Sequence, residues 1–158
     1  MKRKGWGIVL FFALLLSVSA GNRVYEAAYH GERPAHIEQT PQTSAWNGTY
    51  YNEEHRVTLR LHLDEATLEA PGYAFLGKVR GYMHGGIYNT WLLTDFSERR
   101  GVLTLRMSND SGSDVQQIEL EQLSDSLFSY RAVGGNEVRR AVGRKLVKIP
   151  STFTLTRR

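Results

Sequence analysis

The side chains best suited to metal binding or proton transfer are the five histidines, His30, His36, His55, His62 and His84. No two of them stand four apart on a helical pattern or two apart on one strand, and the chain has no cysteine. The spacing therefore lacks the paired imidazoles or thiolates typical of zinc sites. His55 and His62 lie on adjacent pieces of chain, which leaves assembly by tertiary contact open. We predict surface histidines, no metal site and no cofactor.

The residues of a hydrolase also occur, but not in a pattern that indicates catalysis. A nucleophilic serine needs a base and an orienting acid within hydrogen-bond reach. The chain contains no Gly-x-Ser-x-Gly motif, and Ser124-Asp125-Ser126 is typical of a turn. Glu119 and Glu121 share one face of an exposed segment. We therefore expect a protein that is not an enzyme, and a hydrolase ranks third among the functions considered.

Positive charge is concentrated near the end of the chain. Residues 137–158 contain seven basic residues and one acidic residue, a net charge of +6, whereas residues 21–136 carry −5. Aromatic residues do not alternate with the basic ones as they do in single-strand nucleic-acid binders, so we predict no nucleic-acid partner. Three interpretations remain: protection of an exposed sheet edge, attraction to an acidic protein, or attraction to an anionic envelope surface. The residues predicted to bind a partner are Arg139, Arg140, Arg144 and Lys145.

Aromatic residues are concentrated in two consecutive predicted strands between residues 73 and 96. Tryptophan and tyrosine combine apolar area with one polar group, which suits the lining or the mouth of a pocket. If the sheet closes, one face of this hairpin looks inward, and a segment at 64–72 is placed to act as a lid. The alternative is that these side chains are simply core. The predicted ligand-binding residues are Tyr73, Phe75, Tyr82, Tyr88, Trp91 and Phe96.

The elements that must position these groups are strands. In residues 56–63 Val57, Leu59 and Leu61 alternate with polar residues. Successive strand side chains point to opposite faces, so this pattern predicts one dry and one wet face. Similar short segments separated by turn residues follow along the chain. The predicted strands are 46–51, 56–63, 73–82, 87–96, 102–107, 115–123, 126–133, 138–149 and 151–157.

These nine strands, at the spacing typical of all-β domains, predict a single antiparallel β domain over residues 46–158. A short helix is predicted at 64–70, and the segment 115–123 is ambiguous between strand and helix. Short sequential turns and glycines within strands favour an up-and-down barrel of eight or nine strands. A β-sandwich is the alternative. The early Trp46-Asn47-Gly48 and the late Arg157 resemble lipocalin and avidin barrels, although the order of Trp and Gly is reversed from the usual lipocalin start.

The N-terminus carries the signs of export. Lys2, Arg3 and Lys4 precede an apolar run at 8–16 and the small residues up to Ala20, which is typical of a secretory signal peptide. The alternative is an uncleaved membrane anchor, in which only residues 5–20 would contact the membrane. Residues 21–45 are polar and contain prolines, so they are predicted to be a linker with a short helix.

The absence of cysteine in an exported chain favours the periplasm or cell surface of a bacterium. The sequence thus predicts an exported, non-catalytic β-barrel that binds an apolar or amphipathic small ligand. The alternative is an envelope protein-interaction module, such as an inhibitor or assembly factor, that uses the basic C-terminal strand.

Overall fold

The computed structural model describes residues 45–158, so the predicted signal peptide and nearly all of the predicted linker lie outside the described residues. Ten strands and one short 3-10 helix, Ala74–Leu76, make up this domain. The strands are β1 Gly48–Asn52, β2 Val57–Leu61, β3 Gly81–Gly85, β4 Trp91–Arg99, β5 Val102–Asn109, β6 Val115–Gln122, β7 Leu127–Gly135, β8 Arg139–Val142, β9 Lys145–Lys148 and β10 Thr152–Arg157.

Eight of these strands form a closed antiparallel barrel in the order β1-β10-β7-β6-β5-β4-β3-β2. The predicted barrel is therefore confirmed. Strands β8 and β9 form a separate two-stranded sheet. We call the end of the barrel that carries the connections 53–56, 86–90, 110–114 and 136–151 the upper end. The connections 100–101 and 123–126 lie at the lower end, and the long connection 62–80 begins and ends there.

The period-two pattern that predicted the fold is realised in β2. Val57, Leu59 and Leu61 are buried inside the barrel, whereas Thr58 and Arg60 lie on the outside. The same alternation recurs in β5 and β6. Each strand therefore contributes one apolar row, and closing the sheet brings these rows together around a common interior.

Large side chains fill that interior. Phe128 meets the Tyr50 ring edge-on, with ring centroids 4.9 Å apart, and Tyr50 Oη donates to the carbonyl of Trp46 over 2.7 Å. Tyr130 stacks on Phe153 with centroids 4.2 Å apart. An eight-stranded barrel is just wide enough for side chains to fill. The interior residues that are at most 3% exposed are Tyr50, Val57, Leu59, Leu61, Leu63, Met83, Trp91, Leu103, Leu105, Met107, Ile118, Leu120, Phe128, Tyr130, Val138 and Leu155.

Arg157 closes the lower end of the barrel. Its guanidinium lies over the rings of Tyr50 and Phe128, at 5.8 Å and 5.9 Å from their centroids. It also donates to the carbonyls of Ala45 and Asn47 over 2.8 Å and 2.5 Å. These contacts tie the last strand to the start of the domain.

The structure corrects three predicted elements. Residues 64–70 form no helix; Leu68 instead bridges to Val79 in an excursion between β2 and β3. The predicted strand 73–82 begins only at Gly81, because Tyr73 to Gly77 form a turn and the 3-10 helix. The predicted single strand 138–149 is a hairpin that turns at Gly143-Arg144. The ambiguous segment 115–123 is a strand.

Strand β3 continues through Gly85, the first residue of a glycine pair. A Cβ on Gly86 would lie 2.1 Å from the carbonyl oxygen of His55, and one on Gly85 would lie 2.4 Å from that of Arg56. These glycines therefore let the end of β3 pack directly against the β1–β2 turn. Within residues 45–158 no helix is long and apolar enough to cross a bilayer.

Candidate functional site

The hairpin formed by β8 and β9, residues 139–148, consists of the two most exposed strands of the described domain. We call it the basic hairpin. It contains three arginines and two lysines and no acidic residue. Only Arg140 among its strand residues is half-buried; the others are exposed. A two-stranded ribbon without a core is marginally stable alone, so the barrel must support it.

That support comes from the base of the hairpin. Val138 and Ile149 flank the two strands and are buried in the barrel core, and the Ile149 amide donates to the Val138 carbonyl over 3.1 Å. The amide of Tyr88, in the β3–β4 connection, donates to the Arg139 carbonyl over 2.6 Å. The base is therefore fixed to the upper end of the barrel, and the hairpin projects from it.

Glu137 adds an electrostatic contact at the same base. Its carboxylate accepts a hydrogen bond from Lys148 Nζ over 2.6 Å and lies 3.8 Å from the Arg139 guanidinium. The hydrogen bond from Lys148 lowers the pKa of Glu137, and the charges of Lys148 and Arg139 act in the same direction. Glu137 thus neutralises the cations nearest the barrel and leaves the outer ones without a carboxylate.

The register of the hairpin separates its side chains into two faces. Arg139 pairs with Lys148 and Ala141 with Leu146, which places these four side chains on one face. Leu146 and Arg139 line a cleft against the barrel, so this is the inner face. The outer face is formed by the remaining pairs, Arg140 with Val147 and Val142 with Lys145.

The outer face combines cations with exposed apolar side chains. Val142 is 51% exposed and Val147 is 42% exposed. The ion pairs of the described residues do not include Arg140, Lys145 or the turn residue Arg144. The Nε atom of Arg140 is buried and has no hydrogen-bond partner among residues 45–158. Arg140, which is half-buried, and Lys145, which is exposed, therefore carry positive charge that no ion pair of residues 45–158 neutralises.

Two small cavities flank the segment that joins the barrel to the hairpin, and both contact Asn136 and Glu137. One, of about 170 Å³, lies between the hairpin and the β3–β4 connection, and Tyr88, Trp91, Arg139 and Leu146 contribute to it. The other, of about 190 Å³, lies on the β7 side and is lined by Tyr130, Ile149 and Lys148 among others. Both cavities lie at the upper end of the barrel.

The six aromatic residues predicted to bind a ligand do not share one interior surface. Trp91 belongs to the core and Phe96 packs against it. Tyr82 is buried on the outer face of β3, where it pairs with Arg60 and Leu92, and Arg60 Nη1 donates to its hydroxyl over 3.3 Å. Tyr73 and Phe75 belong to the excursion between β2 and β3, and Phe75 is 80% exposed. Tyr88 and Trp91 both line the 170 Å³ cleft.

Tyr73 makes a positioning contact through its hydroxyl group. Its hydroxyl donates to Asp110 Oδ2, which also accepts the Thr90 amide over 3.2 Å. The hydrogen bond to Asp110 raises the pKa of Tyr73. Through Asp110 the excursion at residues 62–80, which includes the predicted lid 64–72, is attached to the turn between β5 and β6.

The four residues predicted to bind a partner all lie in the basic hairpin, on different parts of it. Arg139 is on the inner face, Arg140 and Lys145 are on the outer face, and Arg144 is in the turn. The sequence missed this division because residues 138–149 were read as one strand. The sequence did contain a turn signal, because glycine is typical of the first position of a two-residue turn. In the structure Gly143 stands at that position with a φ of +60°.

The histidines that the structure describes lie apart. His55 is buried against Phe153, and its amide donates to Asn52 Oδ1 over 2.7 Å. His62 bonds to Thr67 Oγ1. Burial lowers the pKa of His84, assisted by the positive charge of Arg60. Within residues 45–158 no three histidine, aspartate or glutamate side chains cluster in a way that could hold a metal ion.

Comparison of the chain with protein-family models, with curated proteins and with solved structures found no match. The resemblance to lipocalin and avidin barrels therefore rests on Trp46, Gly48 and Arg157 alone. Beyond the barrel fold, any functional assignment has to come from the surface.

Proposed function

We propose that this protein is a non-catalytic interaction module that binds an acidic protein partner on the outer face of its basic hairpin. The observation that carries the proposal is the set Arg140, Val142, Lys145 and Val147. It joins two cations without a carboxylate partner among the described residues to two valines that are about half exposed.

Charge complementarity identifies the partner as acidic. Opposite charges steer association and fix register, and burial of apolar side chains at the centre of the contact supplies affinity. The outer face offers both components within four residues. An acidic protein surface with an apolar centre satisfies both, and the guanidinium of Arg140 then gains an acceptor.

The competing interpretation, protection of a sheet edge by Arg and Lys, loses its main support in this topology. The barrel closes through β10 and β7 without β8 or β9. The basic hairpin forms no edge of the barrel, so its cations can shield only the edges of its own two strands. The concentration of charge on a projecting element fits a contact surface better.

Photo-crosslinking tests this proposal. The photoreactive residue p-benzoylphenylalanine is placed at Val142, or at Thr104 on the barrel wall as a control, in cells that make the protein. We expect the Val142 position alone to capture a protein, which is then purified. Double reversal of Arg140→Glu and Lys145→Glu should weaken its binding at least tenfold. The matched reversal of Arg99→Glu and Arg106→Glu on the barrel should change it less than twofold.

An equal loss in both reversal variants would overturn the proposal. So would binding of the unmodified protein to anionic phosphatidylglycerol vesicles in place of a protein partner, since that result assigns the hairpin to a membrane surface. Vesicle flotation with and without the hairpin reversal distinguishes the two.

A second candidate function, binding of an apolar or amphipathic small ligand, is favoured by the 170 Å³ cleft. Tyr88, Trp91 and Leu146 supply apolar walls and Arg139 supplies a cation. Because side chains fill the barrel, we place such a ligand in this cleft and not in the interior. Tryptophan emission measured against lipids, haem and aromatic acids tests it. We expect Tyr88→Ala to remove a response that Tyr51→Ala retains.

For both functions we propose that the protein is exported and lies in the periplasm or at the surface of a bacterium. The support is the basic, apolar and small-residue order of residues 1–20. N-terminal sequencing of the mature protein tests it. A mature chain that begins at residue 21 is the expected result, and an intact N-terminus in a cytoplasmic fraction contradicts export.

A further inference from the structure

The basic hairpin has two strand edges, and the edge of β9 has no backbone partner among the described residues. In an antiparallel pair, the residues along each strand alternate between those whose backbone groups point to the partner strand and those whose groups point away. The Ile149 amide donates to the Val138 carbonyl, so this pair is bonded across the hairpin. Along the register from that pair, the backbone groups of Leu146 and Lys148 point away from β8.

The edge of β8 agrees with this assignment. Arg139 pairs with Lys148, and its carbonyl is directed away from β9, where it accepts the Tyr88 amide over 2.6 Å. On the β9 edge, by contrast, the amides and carbonyls of Leu146 and Lys148 make no backbone hydrogen bond within residues 45–158. All four residues of β9 are exposed. The edge of β9 is therefore open to an incoming strand.

Cations flank this open edge. Arg144 and Lys145 lie at its outer end and belong to no ion pair of the described residues, and Lys148 lies at the end nearest the barrel, where it forms an ion pair. Between them, Leu146 is 46% exposed and Val147 is 42% exposed. The edge thus combines free backbone groups with an apolar pair that lies between positive charges.

The same charges argue against a second copy of β9 as the occupant of the edge. Pairing two copies would bring a second set of lysines and an arginine beside the first set, and like charges opposite each other on a sheet destabilise it. An extended segment that carries carboxylates around an apolar centre matches the edge instead. Charge complementarity therefore identifies the occupant as acidic.

We propose that the β9 edge binds an extended acidic segment of the partner protein as an added antiparallel strand. This inference rests on the proposed function, because it specifies how the acidic partner is held. Backbone hydrogen bonds to Leu146 and Lys148 align the segment. In this register a carboxylate lies beside Lys145 and an apolar side chain lies beside Val147, so the added strand extends the outer face of the hairpin.

Hydrogen exchange measured with a model peptide tests the inference. The full chain is labelled with 15N and titrated with the acetylated and amidated peptide Glu-Glu-Val-Val-Glu-Glu. We expect exchange of the Leu146 and Lys148 amides with water to slow. The Ala141 amide, which points away from β9 at the opposite edge, should exchange as before.

Two N-methylated peptides supply a matched control. In the antiparallel register the second valine of the peptide faces Leu146 and donates to its carbonyl, whereas the amide of the first valine points to solvent. Methylation of the second valine nitrogen should therefore weaken binding about fivefold, since one hydrogen bond is lost. Methylation of the first valine nitrogen should change binding by less than about twofold.

Equal effects of the two methyl groups, or slowed exchange at Ala141 in place of Leu146, would overturn the inference. If Arg140→Glu with Lys145→Glu abolishes binding of a peptide that neither methyl group affects, side chains alone hold the acidic segment. The inference then fails while the proposed function stands. A peptide that does not bind also overturns the inference, and photo-crosslinking at Val142 decides the proposed function separately.

Discussion

The barrel and the basic hairpin are both antiparallel sheet, yet one is filled with apolar side chains and the other is exposed on both faces. In β2 the apolar residues occupy every second position, so they share one face. In the hairpin they are adjacent, Ala141 with Val142 and Leu146 with Val147, so each face receives half of them. A strand contributes to a core only when its apolar residues share a face. The hairpin has no such face and serves instead as surface.

The largest effect is expected from a substitution that creates a cavity in the barrel interior. Phe128→Ala removes a ring that contacts both Trp46 and Tyr50. Substitutions of this kind typically cost about 3–5 kcal/mol of unfolding free energy. Urea unfolding should show this loss. The same measurement on Val142→Ala should show a change within about 0.5 kcal/mol, and equal losses would show that the hairpin is part of the cooperative core.

The next effect concerns a buried polar group. The hydroxyl of Tyr130 lies in the barrel and donates to Gln116 Oε1 over 3.1 Å, and burial raises the pKa of Tyr130. Its ionisation is therefore unfavourable in the folded state. The contribution of Tyr130 to the free energy of unfolding is complete below pH 10, the ordinary pKa of tyrosine. It is lost as the pH rises from 10 toward the raised pKa that Tyr130 has in the folded protein. In this range the free energy of unfolding should fall by up to about 1.4 kcal/mol per pH unit because of this residue.

Tyr130→Phe tests this pH dependence. At pH 8 it should cost about 1 kcal/mol for the lost hydrogen bond, whereas above pH 10 the variant should lose stability less steeply than the unmodified protein. Urea unfolding from pH 8 to 11.5 measures both. Parallel curves for the two proteins would contradict the assignment. Tyr51→Phe, on the outer face, should leave the curve unchanged.

A smaller change is expected when the hairpin is removed. Residues 140–147 are replaced by two glycines, which keeps Val138 and Ile149 as the apolar base. The barrel closes without β8 and β9, so its free energy of unfolding should change by less than about 1 kcal/mol. Circular dichroism and urea unfolding check this. Loss of the folded barrel would show that the hairpin is a structural element rather than a surface one.

The smallest effect is expected from Glu137→Gln, which removes the carboxylate that pairs with Lys148 and Arg139. The barrel should unfold as before, while amide exchange in residues 139–148 accelerates. The pKa of Glu137 is lowered in the folded protein, so its ion pairs stabilise the hairpin fully above the ordinary pKa of glutamate. That stabilisation is lost as the pH falls through the lowered pKa. In the unmodified protein the protection factors of these amides, which correct the exchange rates for the pH dependence of intrinsic exchange, should therefore fall on acidification below pH 4.5. Protection factors that do not change with pH would argue against the ion pair.

The barrel was predictable because its signal is local. Alternation in β2 and β5, with glycine-rich turns between strands, indicates a meander, and a closed meander is what formed. The excursion at 62–80 was not predictable from the same signal. Asp64 and Pro71 are typical helix boundaries, but the pairing of Leu68 with Val79 and the bond from Tyr73 to Asp110 join residues far apart in sequence.

The candidate sites divide in the same way. The cations at 139, 140, 144 and 145 were recognised from composition, and Gly143-Arg144 carried the turn signal that separates them into two faces. The aromatic residues were recognised as a group by type alone. Tyr82 and Trp91 lie on opposite sides of the sheet, and this depends on register and bulges, which a pattern of residue types does not determine.

The sequence by itself determined that this chain builds an antiparallel β domain with a strongly basic end, because residue alternation and charge are properties of single segments. Only the tertiary structure decided that the sheet closes into a barrel, that the interior is filled, and that the basic segment projects as a hairpin outside the barrel. Those outcomes depend on how separate strands meet, and the volume and hydrogen bonds between them exist only once the sheet has closed.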